Sequence, residues 1–99
     1  MILLFAMAAA ATDLARAPLP VRAFIARRAD CDHWGGEEPY DAARRREIER
    51  AIRNLRCDAL DADERTLRRQ YRQRPTLLRL IARTRDADGA ELTSAAARP

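Results

Sequence analysis

The chain carries two cysteines, Cys31 and Cys57, each near the end of a segment with helical apolar spacing. After Pro20, which suits a first helical turn, Val21, Phe24, Ile25 and Arg28 recur at i, i+3, i+4 and i+7. Cys31 lies on the Phe24 edge of that stripe. Gly35-Gly36 ends this first helix, and Glu37-Glu38-Pro39 continues as a loop. Asp41 caps a second helix running to about Arg56, whose apolar face is Ile48, Ala51, Ile52 and Leu55. A bond between the cysteines closes 25 intervening residues and stabilises by about 3.5 kcal/mol in the chain-entropy description. It also constrains the fold. A tight antiparallel hairpin would hold the two positions about 20 Å apart, at ~1.5 Å per helical residue. A disulfide needs its Cα atoms within about 7 Å. The bond therefore requires Gly35 to Tyr40 to run back along the second helix, so that both helices end near one another.

The rest of the pattern is helical too. Asp61-Ala62-Asp63-Glu64 resembles a capping box, and a third helix follows with Leu60, Glu64, Leu67 and Tyr71 along one side. Pro75 ends that helix or opens the next, and Leu77, Leu78 and Ile81 form a short fourth amphipathic stretch. Alanine and arginine supply 21 and 19 of the 99 residues, with three glycines, five prolines and no lysine. That composition excludes collagen-like, Gln/Asn-rich and disulfide-dense classes, and the length excludes a large enzyme with a deep cavity. A GC-rich genome accounts for much of the alanine and arginine. The expected fold is all-α, a small bundle of three to four short helices with one disulfide. The expected organisation is an apolar segment at 1–11, an irregular lead-in at 12–19, a helical domain at 20–85 and a disordered tail at 86–99.

Met1 to Ala11 has no charge and no strong breaker. It is too short to span a bilayer, which takes about 20 apolar residues. It matches the apolar core of a secretory signal peptide, with Ala9-Ala10-Ala11 as small residues before a cut at Thr12, although no basic residue precedes it. This predicts a periplasmic or secreted protein without a transmembrane span. The alternative is an N-terminal apolar helix packed into the domain or associated with a membrane. Removing the segment leaves 20 large apolar residues, counting Tyr and Cys, among 88. So thin a core benefits from a covalent staple, and an even cysteine count behind an export signal reads as one disulfide. The rival is a pair of free thiols, buried or joined by His33 and Asp32 or Glu37 around a metal, but the spacing is unlike that of zinc sites. No metal or other cofactor is expected.

The segment Cys31-Asp32-His33-Trp34-Gly35-Gly36-Glu37-Glu38-Pro39-Tyr40-Asp41 holds the only histidine, the only tryptophan and four acids. The order Cys-x-His-Trp-x-Gly-Glu-x-x-Tyr-Asp, then a helix and a second Cys, resembles a group of short exported bacterial proteins of unknown function. The resemblance covers about Ala23 to Tyr71. It implies export and the Cys31–Cys57 pair, and it brings no catalytic residue with it. From the residues alone, His33 could serve as a general base oriented by Glu37 or Asp41. Nothing resembles a nucleophile elbow, and no second histidine or hydroxyl completes a triad. The structural reading packs Trp34 on the disulfide and second helix, with His33, Glu37 and Tyr40 bonded to loop backbone or to Arg44–Arg46. A third reading makes His33, Trp34, Glu37, Tyr40 and Asp41 a recognition loop for a partner protein or glycan.

Charge is unevenly placed. Asp30 to Glu49 holds seven acids and three arginines, a net of −4, whereas Arg65 to Arg85 holds eight arginines and no acid, a net of +8. Arg65, Arg68, Arg69 and Arg72 fall at i, i+3, i+4 and i+7, a basic stripe suited to an anionic envelope surface, lipopolysaccharide phosphate or nucleic acid. The plainer account is a solvated face. Export and the lack of interleaved aromatics argue against nucleic acid as a partner. The sequence therefore predicts an exported helical protein that binds an unknown protein or anionic envelope component and does not catalyse. The alternatives are an Arg-rich nucleic-acid- or anionic-surface-binding protein of the cytosol, and a His33-centred hydrolase.

Overall fold

The computed structural model describes residues 12–86, so the apolar segment 1–11 and nearly all of the tail 86–99 lie outside the described residues. After a helical stretch at 12–16, the described residues form α1 (Leu19–Gly35), α2 (Ala42–Leu55), α3 (Leu60–Gln70) and α4 (Pro75–Asp86), with a 3-10 turn at Cys57–Ala59 before α3. No strand occurs among the described residues, and the fold is a small all-α bundle with one disulfide. Helix α1 begins at the Pro18–Pro20 segment and stops where the Gly36 N–H bonds back to the carbonyls of Asp32 and His33. Asp41 caps α2 by accepting from the Arg44 N–H at 2.7 Å.

The core is built by α1, α3 and α4. Val21, Phe24 and Ile25 pack with Leu67, Leu77, Leu80 and Ile81, while Leu60 and Tyr71 close over the edge. Leu14 and Ala17 belong to the same cluster, which corrects the irregular lead-in expected at 12–19. Residues 12–16 are helical, and Asp13 pairs with Arg83 of α4 at 3.0 Å. The physical reason is the i, i+3 placement of Leu14 and Ala17, which buries both when the chain coils.

The start of α3 also differs from the sequence reading. Asp61 is not its cap: the helix begins at Leu60, its N-cap Ala59 makes no side-chain bond, and Glu64 does not reach back. Glu64 instead sits buried, accepting from the Arg28 guanidinium at 2.8 Å and from Arg68 at 3.0 Å, with Arg85 as a third cation on it. Arg28 donates further to the Ile81 carbonyl and the Thr84 hydroxyl, both at 2.7 Å, and lies over the Phe24 ring. The single Thr84 hydroxyl proton in turn is shared between the Leu80 carbonyl at 2.9 Å and the Ile81 carbonyl at 3.1 Å. A buried carboxylate and guanidinium are costly unless fully bonded, and these contacts join α1, α3 and α4 at one point.

Helix α2 is held differently. Ile48 is its only fully buried residue, and it contributes nothing to the main cluster. It is attached by the Cys31–Cys57 bond, with Cα atoms 5.7 Å apart. Arg27 adds hydrogen bonds to the Leu55 and Arg56 carbonyls and an ion pair to Asp63 at 2.8 Å. Orphan carbonyls at a helix C-terminus favour such a cation. Arg56 takes a left-handed conformation, φ 54°, to turn the chain there. At its other end α2 meets Trp34 and Glu37 through Arg44. The helix therefore runs antiparallel to the C-terminal half of α1, which corrects the expected run-back of Gly35 to Tyr40: the start of α2 meets the end of α1, and the disulfide forms because Cys31 lies a turn before the end of α1 and Cys57 beyond the end of α2.

Two measurements check this division. Glu64→Ala should lower unfolding free energy by about 3–5 kcal/mol in urea titration, because Arg28 stays buried without its partner. Arg28→Met with Glu64→Leu should recover most of that loss, whereas Arg85→Ala should cost under about 1 kcal/mol. Separately, reducing the disulfide or replacing both cysteines by serine should cost about 3.5 kcal/mol. An unchanged urea midpoint in reductant would remove the staple from the account.

Candidate functional site

The loop between α1 and α2 is organised by Arg44, on the first turn of α2. Its guanidinium lies 5.3 Å over the Trp34 ring, pairs with Glu37 at 3.0 Å and also contacts Glu47. The hydrogen bond to Glu37 raises the Arg44 pKa above its ordinary value, against the loss of hydration, with the charges of Glu47 and Glu37 adding to it. The other oxygen of Glu37 meets His33 Nε2 at 3.3 Å, and the His33 ring stands edge-on to Trp34. The chain His33–Glu37–Arg44–Trp34 thus ties the last turn of α1 to the first turn of α2.

The five residues singled out in sequence therefore divide. Trp34 and Glu37 are partly buried and Asp41 is spent on its capping bond. His33 is exposed, with Glu37 as its partner. Tyr40 is 78% exposed. The structural reading accounts for Trp34 and Glu37, and the outward-facing part of the loop is Tyr40 with His33, Asp32 and Glu38 beside it in sequence. Arg44 was not singled out because nothing in an Arg-Arg-Arg run marks one member. The i+3 offset from the Asp41 cap could have found it.

The basic stripe divides in the same way. Arg68 is half-buried and committed to Glu64, so the four arginines do not form one free row. Arg65, Arg69 and Arg72 are exposed. Arg69 donates to the Thr66 hydroxyl, Arg72 lies 3.5 Å from the Arg69 carbonyl, and none of the three has a carboxylate partner among the described residues.

A shallow apolar groove of about 290 Å3 lies between α1 and α3, lined by Pro20, Ala23, Phe24, Arg27, Asp63, Thr66 and Leu67. His33 is not part of it. The thiols are spent in the disulfide, and no group of three His, Cys, Asp or Glu gathers among the described residues. No described helix is long and apolar enough to cross a membrane.

Compared with family models, curated proteins and solved structures, the chain matches none.

The loop geometry carries its own test. Arg44→Ala should shift Trp34 emission to longer wavelength, since the ring loses the cation covering it, with a small fall in Tm. Tyr40→Ala should leave both unchanged. A Trp34 spectrum indifferent to Arg44 would separate the ring from the cluster.

Proposed function

We infer that this chain acts by binding, as an exported disulfide-stapled helical protein, and that its partner contact is the exposed tip of the α1–α2 loop around Tyr40 and His33. The observation that carries this reading is the combination at that loop: a disulfide and an ion-paired cluster brace both flanking helices while Tyr40 is left 78% exposed. Bracing lowers the entropy lost on binding, and an exposed tyrosine is a frequent anchor in protein interfaces. Disulfides persist in oxidising compartments, and the apolar Met1–Ala11 segment with its small residues agrees with export. A catalytic reading draws less support, because His33 is solvent-facing, paired with Glu37 and away from the groove.

The cytosolic, Arg-rich reading draws on one specific observation, the exposed arginines of α3 without carboxylate partners. One measurement separates the two. The intact mass of protein made with its own N-terminus, purified without reductant and alkylated, should lack Met1 to Ala11 and two hydrogens and carry no alkyl group. A full-length mass with two alkylated thiols would remove the export reading.

A further inference from the structure

The molecule is polarised along α1. The Cys31–Cys57 bond, the Arg27–Asp63 pair and the Phe24–Leu67 packing follow one another in opposite chain directions, so α3 runs antiparallel to α1. The C-terminal half of α3 and the turn after it therefore lie beside the N-terminal half of α1. The acid-rich loop sits at the other end of α1, 17 residues and about 25 Å away.

Three independent features gather at the first end. Arg69, Arg72 and Arg74 are exposed, with no carboxylate partner among the described residues. Leu19 is 67% exposed at the first residue of α1, next to Pro20, which lines the groove. The groove itself opens between the helices there, and Arg69 bonds to Thr66 on its wall. By contrast, Arg27, Arg28, Arg44, Arg68, Arg83 and Arg85 are all spent on carboxylates. Exposed arginines outside any ion pair occur elsewhere too, among them Arg45, Arg46, Arg50 and Arg53 of α2, but Arg69, Arg72 and Arg74 are the ones beside exposed Leu19 and the groove.

We propose that this basic, apolar pole docks on the surface of an anionic phospholipid bilayer, with Leu19 and the groove wall entering the headgroup layer and Arg69, Arg72 and Arg74 on the phosphates. The three arginines are spread along the end of α3 and the turn after it, which fits distributed headgroup charge better than one small anion. Nucleic acid fits less well, since the exposed aromatic Tyr40 is at the far end and Tyr71 is packed against the core. The acid-rich loop would be repelled from the same surface, which orients the molecule with Tyr40 outward. The proposal shares with the functional reading only the outward loop. It does not depend on export.

The test is co-sedimentation of the full oxidised chain with vesicles of phosphatidylglycerol and phosphatidylcholine in equal parts, against phosphatidylcholine alone, at low and high salt. Binding should favour the anionic vesicles and weaken with salt as the Debye length shortens. Arg69→Gln/Arg72→Gln/Arg74→Gln should lower partitioning roughly 100-fold, at about fivefold per cation. Leu19→Ser should lower it several-fold, and Tyr40→Ala should leave it unchanged. Thermal melts of each variant should match the parent, since these side chains are exposed. No preference for anionic vesicles, or a triple variant binding within twofold of the parent, overturns the proposal. So does tight binding to duplex DNA with none to vesicles. Because all three variants are compared with the parent in the same form, the result is independent of whether residues 1–11 are cleaved.

Discussion

The bundle depends on one buried carboxylate. Glu64 is met by Arg28 from α1, by Arg68 from its own helix and by Arg85 from α4, and Arg28 continues to a carbonyl and a hydroxyl of α4. An isolated charge at this depth would cost several kcal/mol, so the site is tolerable only when all three segments are in register. The planar guanidinium suits this role, because its fork can reach a carboxylate, a carbonyl and a hydroxyl together while its face lies on Phe24. The apolar cluster around Ile25, Leu80 and Ile81 provides the burial, and the ion network selects which packing of those helices is allowed.

Helix α2 stands partly outside that arrangement. It buries little apolar surface, and it is secured by a covalent bond, by Arg27 on its C-terminal carbonyls and by Arg44 on Trp34 and Glu37. A chain with so few large apolar residues cannot surround α1 on every side with core. Local polar clamps and a disulfide replace burial where it is missing. The consequence for function is a loop with braced flanks and an exposed tip.

The two ends of the molecule then have different characters. One presents Tyr40 among acids, and the other presents Leu19 and an open groove among arginines with no acid to pair with. Arg27, Arg28, Arg44, Arg68, Arg83 and Arg85 are consumed in ion pairs, while Arg45, Arg46, Arg50 and Arg53 are exposed on α2. The net charge of +4 hides this separation, which arises because α3 turns back antiparallel along α1.

Periodicity and caps were enough to read the helices at Leu19–Gly35 and Ala42–Leu55, the Asp41 cap and the cysteine pair, because each depends on residues within a few positions or on a count of two. The lead-in was misread because prolines at 18 and 20 mask the short Leu14/Ala17 stripe. Asp61 was misread as a cap because a capping box and a buried ion pair place glutamate in the same sequence context. The roles of the arginines were not legible at all. Arg28 looks like Arg69 and Arg72 in the chain, and what distinguishes it is a carboxylate and a hydroxyl brought in by other helices, 36 residues away for Glu64 and 56 for Thr84. The sequence alone determined an all-α chain with helices of known length and a possible staple. Only the tertiary structure decided which charges are buried and which are free, because a guanidinium's role depends on what the packing of distant segments places beside it.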